Sequence, residues 1–311
     1  MKHVVRVLAL FALALALFSC QGPVQGSAVD TAQLDADFNR VLASIGTDEA
    51  ASLMAEFDAR YGTTLCTDFA EQLTAQGAKS GGGDSDYPPL SGMPFAVDGA
   101  VYLSGGGKDL VGSVIGWVAP KSLPGGFFHG ATLDLDKFDP NNLDAPALET
   151  AVTKGAGYES ANEWMRKVNA CVLNPTFAVE KARLDSAQAA MAYYCDLPSG
   201  SQAYGFFRNY IDLSNVVTKE DRYWWYCTKV VWEAWNNYGI NLDTNDSRVD
   251  FTQSGLYNLV KSYYNVRYFY SSSKAKAAIA AYMADARSNI VMAEEIMLSP
   301  YLTKVFEAIR N

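Results

Sequence analysis

The stretch that decides the fold is residues 224–235, which read Trp224-Trp225-Tyr226-Cys227-Thr228-Lys229-Val230-Val231-Trp232-Glu233-Ala234-Trp235. Apolar side chains recur at helical spacing, and Gly239 is a typical residue just beyond a helix C-terminus. This pattern predicts an amphipathic helix over 226–238 that opens at Cys227. Backbone N–H groups and the positive dipole end of a helix N-terminus favour a thiolate there, and the same N–H groups can hold an oxyanion. The alternative is a small core cysteine, which is common.

The only imidazole available to a mature form of the chain is that of His129. The sequence has two histidines, and His3 lies in a segment that we expect to be removed. His129 follows a glycine pair at the start of an alternating strand pattern over 127–135. A Cys–His pair with Cys227 would activate the thiol for attack on a carbonyl. A hydrogen-bonded structural histidine is the competing interpretation.

The segment around Cys227 resembles the "Tyr-Cys-Ser-x-Leu-Val-Trp-x-Ala" helix of the circularly permuted papain-fold hydrolases, the YiiX-like group related to NlpC-type peptidases and lecithin retinol acyltransferases. In that group the histidine motif precedes the cysteine motif, as it does here. Further segments are similar to motifs of the group in the same order, namely 98–103, 128–132, 148–151, 239–243 and 249–256. Thr228 stands where the group usually has serine, and Gly130 where a larger apolar residue is common. The resemblance covers roughly residues 97 to 271.

The resemblance implies an α+β fold with a circularly permuted papain-like (NlpC-type) core. It implies that Cys227 is the nucleophile, His129 its general base, and Glu149 the carboxylate that orients the imidazole. Asp134 and Asp136, on the same predicted strand as His129, are the runners-up for that third position. We also expect Tyr226 to be a candidate oxyanion donor. Trp225 is expected to line the substrate cleft beside it.

The N-terminus has the features of an exported lipoprotein. Lys2 and Arg6 precede an apolar run that is too short for an ordinary membrane span and ends in Leu17-Phe18-Ser19-Cys20. This resembles a bacterial lipobox, in which Cys20 becomes the lipidated first residue, although Phe18 is larger than usual there. We therefore expect a membrane tether through a lipid on Cys20. An ordinary secretory signal with an incidental cysteine is the alternative.

Charge and composition exclude several classes of function. The formal net charge is −9, and no cluster of basic residues offsets it, so nucleic acid is not an expected partner. A single mature histidine and the lack of a Cys-x-x-Cys pair argue against a zinc site. We expect no metal and no cofactor. A chain of 311 residues with 49% hydrophobic content can bury a sizeable core.

The sequence divides into six predicted regions. They are a lipoprotein signal peptide (1–19), a tether (20–29), an N-terminal helical region (30–80), a linker (81–94), the permuted papain-like hydrolase domain (95–271) and a C-terminal helical region (272–311). Within the hydrolase domain we predict strands over 100–104, 127–135, 147–152, 204–211 and 266–270, and helices over 160–172, 179–194 and 226–238. Ser299-Pro300 predicts the start of a last helix. The two helical ends are expected to pack as one unit or to cover the cleft.

Four cysteines follow Cys20, and export would permit a disulfide among them. With Cys227 kept as a reactive thiol, Cys171 and Cys195 are the pair that we expect to be bonded.

The function expected from these patterns is that of an exported, lipid-anchored thiol amidase or peptidase that works through an acyl-enzyme. Its substrate would carry an amide or ester, either a peptidoglycan peptide or an acylated small molecule or lipid. A non-catalytic envelope lipoprotein that binds a ligand or partner on the same fold is the alternative.

Overall fold

A computed structural model describes residues 29–44, 49–69, 87–105, 115–152, 154–205, 217–269 and 271–310. The predicted signal peptide, Cys20 and most of the tether lie outside these residues, as do 81–86 of the predicted linker. The fold is mixed α+β, as the sequence predicted, and its main sheet is antiparallel.

The main sheet has six strands in the order β4-β3-β2-β1-β5-β8, and all the neighbours are antiparallel. The strands are β1 (Val101–Gly105), β2 (Phe127–Leu133), β3 (Pro146–Val152), β4 (Gly155–Ser160), β5 (Asn169–Pro175) and β8 (Leu302–Ile309). Two short parallel strands, β6 (Ala203–Tyr204) and β7 (Trp224–Trp225), form a second sheet directly before the cysteine helix.

Eight helices with defined bounds accompany the sheets in the described part of the chain. They are α1 (Thr31–Ser44), α2 (Ala50–Tyr61), α3 (Ala161–Met165), α4 (Lys181–Cys195), α5 (Cys227–Tyr238), α6 (Gly255–Arg267), α7 (Ser272–Asn289) and α8 (Ala293–Met297). The predicted capping box of α3 is present, since Ser160 accepts a hydrogen bond from the Glu163 N–H and Glu163 accepts one from the Ser160 N–H.

The period-2 alternation of β1 separates two cores on the two faces of the sheet. Val101 and Leu103 pack on one face with side chains of α4 and α5, including Leu184 and Trp235. Tyr102, between them, packs on the other face against Trp164 of α3 and the residues around it. Helix α5 therefore lies against one face of the sheet, and its N-terminus reaches the start of β2.

Helices α1, α2, α6 and α7 share a third core. Phe38 of α1 lies against Phe57 of α2 and Tyr263 of α6, with ring centroids 5.6 and 4.7 Å apart. Arg267 of α6 also donates a hydrogen bond to Asp35 of α1 at 2.6 Å. This core continues to Tyr226 at the entrance of α5, so the helical ends support the cysteine helix.

The prediction of a last helix after Ser299-Pro300 is wrong. Residues 302–309 form β8, which pairs with β5 along its whole length. Ser299-Pro300 begin a turn there, in which the Leu302 N–H donates to the Ser299 carbonyl at 3.2 Å. The chain then continues as a strand because the open edge of β5 offers more hydrogen bonds than a short isolated helix could make. The predicted C-terminal helical region, 272–311, therefore contributes a strand to the main sheet.

Three other predicted elements differ from the structure. The described part of the strand predicted over 266–270 is not a strand, because α6 extends to Arg267; residue 270 lies outside the described residues. The helix predicted over 160–172 ends at Met165, and 169–175 form β5, whose β-branched and apolar residues fit the centre of the sheet. Of the predicted strand over 204–211, only its first residue belongs to β6, and residues 206–216 lie outside the described residues.

The predicted disulfide between Cys171 and Cys195 is absent, and both thiols are free and buried, as are those of Cys66 and Cys227. Cys171 belongs to the core between the sheet and α5, whereas Cys195 ends α4 in a separate cluster with Trp225 and Met191. Both act as small apolar residues in packed surroundings.

Candidate active site

Cys227 lies at the N-terminus of α5, as predicted. Tyr226 before it is extended, with φ −139° and ψ 158°, and the helix begins at the cysteine itself. The helix's own hydrogen bonds start with the N–H groups of Lys229 and Val230, both donating to the Tyr226 carbonyl. The N–H groups of Cys227 and Thr228 precede this ladder and point out of the helix end, where an anion can be bound.

A buried lysine holds the segment that leads into Cys227. The ammonium of Lys229 donates to the carbonyls of Thr218 at 3.2 Å and Trp224 at 2.9 Å, and also to the Asp221 carbonyl. Burial lowers the pKa of Lys229 to about 8, against the opposing effect of the Asp221 carboxylate. Three carbonyl contacts on one ammonium fix residues 218–224 and hence the position of the helix start.

Gly130 permits the close approach between α5 and β2. A Cβ atom at this position would lie 3.3 Å from side-chain carbons of Thr228 and Val231, both on α5. Gly130 therefore allows the helix to lie close to the strand. As a result, the Cys227 sulfur lies 3.6 Å from the carbonyl oxygen of Phe128, the residue before His129.

The structure brings Cys227 and His129 together. The Cys227 thiol lies close enough to the imidazole for its charge to act on the pKa of His129, and the imidazole Nε2 lies 3.0 Å from Oε2 of Glu159 on β4. With Nε2 held by Glu159, Nδ1 is the nitrogen left to exchange a proton with the thiol. The ring also stacks on Trp164 of α3, with centroids 5.2 Å apart and planes 10° from parallel. Its orientation is thus fixed on three sides.

The electrostatics of the site favour an imidazolium. Burial alone would lower the pKa of His129, but the charges of Glu159 and Cys227 outweigh it and raise the pKa to about 9. Burial would likewise raise the pKa of Glu159, but the charges of His129 and Lys167 lower it to about 2. Lys167 reaches Oε1 of Glu159 at 3.4 Å. The carboxylate is therefore ionised between two cations.

Glu149 does not occupy the third position predicted for it. In the sheet, Glu159 is opposite Leu148, whereas Glu149 is opposite Tyr158 and Thr132. Neighbouring residues of a strand point to opposite faces, so Glu149 and Glu159 lie on different sides of the sheet. Both carboxylate oxygens of Glu149 are buried without a hydrogen-bond partner, and burial raises the pKa of this group to about 8.

The other predicted site residues also lie away from the imidazole. Asp134 and Asp136 form ion pairs with Lys137 and Lys181, at 3.1 and 3.0 Å. The Tyr226 hydroxyl accepts a hydrogen bond from the Val291 N–H at 3.0 Å and packs in the core of the helical ends, so it is not placed as an oxyanion donor. The contacts of Asp134, Asp136 and Tyr226 are therefore structural, and none of the three side chains acts on the imidazole.

Trp225 is a core residue and does not line a cleft. It is fully buried, its indole N–H donates to the Arg222 carbonyl at 3.1 Å, and its ring lies 4.9 Å from that of Tyr194. Tyr204 is nearer to the thiol than the sequence suggested, because β6 pairs with β7 and puts Tyr204 opposite Trp225. Burial, with the charges of Cys227 and Glu159, raises the pKa of the Tyr204 hydroxyl.

No sequence pattern pointed to the residues that complete the site. Glu159 is an ordinary carboxylate next to the α3 cap, and only the antiparallel pairing of β3 with β4 carries it toward His129. Trp164 follows on α3, and Lys167 lies two residues beyond the end of that helix. Glu159 directly precedes the Ser160 cap. Its position in the sequence, however, does not distinguish it from Glu149 as a partner for His129.

The part of the chain that the structure describes shows neither a metal-binding group nor a membrane-spanning helix. No group of three or more histidine, cysteine, aspartate or glutamate side chains is arranged to hold a metal ion. None of the described helices combines the length and the apolar character that a membrane span requires.

Comparisons with known proteins returned no relative. The chain matches no family model, no curated protein and no solved structure. The interpretation of the site therefore depends on its geometry and on the sequence motifs.

The buried Glu149 generates a prediction for stability against pH. Its folded pKa of about 8 lies above the ordinary value of 4.5, so the folded state keeps a proton that the unfolded state releases. Folding stability is therefore lost between about pH 4.5 and 8. We expect Glu149→Gln to raise the free energy of unfolding at pH 7.5 by a few kcal/mol, on the order of 1.4 kcal/mol for each pH unit. At pH 4 the gain should vanish.

Glu159→Gln is the matched control, because the folded pKa of Glu159 is lowered to about 2. Its ionised form stabilises the fold above pH 4.5, so this variant should be less stable than the wild type at pH 7.5. Urea unfolding of both variants at pH 4 and 7.5 makes the comparison. A loss of stability in Glu149→Gln at pH 7.5 would contradict a buried, uncompensated carboxyl.

Proposed function

We propose that this protein is a thiol hydrolase in which Cys227 is the nucleophile, His129 the general base and Glu159 the residue that orients the imidazole. One observation carries the proposal. A cysteine at a helix N-terminus lies beside an imidazole, and Nε2 of that imidazole is held by a buried, ionised carboxylate. This arrangement supplies nucleophile, base and orienting group in the order that acyl transfer requires.

The proposed reaction proceeds through a thioester. His129 takes the Cys227 proton, and the thiolate sulfur attacks the substrate carbonyl to form a tetrahedral oxyanion. The N–H groups of Cys227 and Thr228 are suited to hold that oxyanion. His129 then gives its proton to the leaving amine or alcohol as the carbon–heteroatom bond breaks. A water molecule, deprotonated by His129, releases the acid and restores the thiol.

The proposed fold class is a circularly permuted papain-like, NlpC-type core. Two features support it besides the motif resemblance. The histidine strand precedes the cysteine helix in the chain, and that helix packs on one face of an antiparallel sheet with its N-terminus beside the histidine. On this proposal, Glu159 takes the place that the resemblance implied for Glu149.

We propose an amide or ester as the substrate, because the leaving group must accept a proton from His129. A peptidoglycan peptide and an acylated small molecule or lipid both have this chemistry. The aromatic-rich surroundings of the thiol, with Trp164 and Tyr204 close by, suit either class.

The alternative is a non-catalytic protein that binds a ligand or partner. A cleft of about 320 Å³ favours it, because this cleft lies away from the thiol, beside the start of β1 and α4, where Val97, Phe177 and Lys181 line it. His129 pairs with Ser104, near the other end of β1. A binding function at this cleft would not require the Cys–His pair.

The acyl-enzyme distinguishes the two proposals. An activated ester such as a p-nitrophenyl acyl ester should acylate Cys227 and be turned over, with the adduct seen in the intact mass. Cys227→Ala should abolish the adduct, and His129→Ala or Glu159→Gln should slow its formation by about 10²-fold or more. Cys195→Ser, another buried thiol, is the control and should react like the wild type. Equal adducts in wild type and Cys227→Ala would contradict the hydrolase.

We propose that the protein is exported and held to the cell envelope by a lipid on Cys20. The support is the basic start, the apolar run and the lipobox-like Leu17-Phe18-Ser19-Cys20. In cells fed a labelled fatty acid, the wild type should carry the label and Cys20→Ala should not. Unlabelled wild type, or equal label in both, would contradict the anchor.

A further inference from the structure

Lys167 belongs to a closed circuit of contacts around the imidazole. Its ammonium lies 3.4 Å from Oε1 of Glu159, while Oε2 of the same carboxylate lies 3.0 Å from His129. The ammonium is also 5.6 Å from the ring centroid of Trp164, which stacks on His129 at 5.2 Å. Each of the four side chains therefore contacts two others of the circuit.

The burial of this circuit makes its charges matter. The side chains of His129, Glu159 and Lys167 are 17%, 16% and 14% exposed. A carboxylate buried to this extent is costly unless its charge is balanced and both of its oxygens have partners. His129 contacts Oε2 of the Glu159 carboxylate, and Lys167 contacts Oε1.

We propose that Lys167 is a positioning residue of the hydrolase site: its ammonium holds one oxygen of Glu159, turns the other toward His129, and balances the carboxylate charge. The inference rests on the proposed function. With Lys167 present, the ionised site contains two cations, Lys167 and His129, and two anions, Glu159 and Cys227. Because the charges of these four groups sum to zero, His129 can both take up a proton from the thiol and return it to a leaving group.

Removal of Lys167 should change the basicity of His129 in a defined direction. Without the ammonium, Glu159 would act on His129 alone, and the imidazole would also lose a nearby positive charge. Both effects favour the imidazolium, so the proton would be returned less readily to a leaving group. The other titratable group that acts on the imidazole is Cys227 on α5, and Tyr204 on β6 lies near enough to feel the charges of Cys227 and Glu159; this change leaves both in place.

The test is an NMR titration of the histidine ring protons in the full chain. The chain has two histidines, and the spectrum of His129→Gln identifies the signal of His129. Lys167→Met should raise the pKa of His129 by about one unit, and Glu159→Gln should lower it. Lys167→Arg, which keeps the charge, should stay close to the wild type. Lys304→Met removes a Lys–Glu pair on β8 and is the matched control, with no change expected.

Each outcome decides one of the claims. A fall or no change in the pKa of His129 in Lys167→Met, with the expected fall in Glu159→Gln, would overturn the role of Lys167 and leave the hydrolase standing. A purely structural role for Lys167 predicts a move toward the ordinary histidine value of about 6.5. No response to either Glu159→Gln or Cys227→Ala would overturn the proposed site as a whole. Should Lys167→Met fail to fold, Lys167→Gln keeps a polar side chain and takes its place.

Discussion

The site depends on the contact between His129 and Glu159, which joins β2 to β4 across the intervening strand β3. Without a carboxylate at Nε2, a buried imidazole beside a thiol would stay neutral, because burial disfavours its charged form. With Glu159 in place, the imidazolium is favoured, and the thiol has a base of fixed orientation. Trp164, Lys167 and the start of α5 are all arranged around this contact.

Two glutamates of the same sheet show how surroundings decide the behaviour of a buried carboxyl. Glu159 is flanked by His129 and Lys167, and its pKa is lowered to about 2. Glu149 is at least as deeply buried, lacks hydrogen-bond partners, and has a pKa raised to about 8. Strand alternation sends them to opposite faces. There Glu159 contacts two cations, whereas Glu149 has no hydrogen-bond partner and the charge of Lys137 does not offset its burial.

Local patterns in the sequence predicted the parts of the fold and site that depend on local structure. The helix opening at Cys227, the strand of His129, the capping box at Ser160 and the glycine closing α5 all depend on residues near one another in the chain. The third residue of the site could not be predicted in this way, since Glu149 and Glu159 differ only in strand register. Strand β8 was missed for the same reason, because its partner β5 lies more than a hundred residues earlier. Tyr226 and Trp225 were expected at the site, but the helical ends and α4 cover them.

The central claim is that Cys227 and His129 form an activated pair, and the most direct measurement is the rate of Cys227 alkylation by iodoacetamide as a function of pH. The account predicts that Cys227 reacts in the wild type well below about pH 8.5, the ordinary thiol pKa at which half of the thiol is ionised, and that His129→Ala moves the profile toward that value. Reaction of Cys227 with the same pH profile in both proteins, or no reaction in either, would contradict the account and leave Cys227 as a core residue.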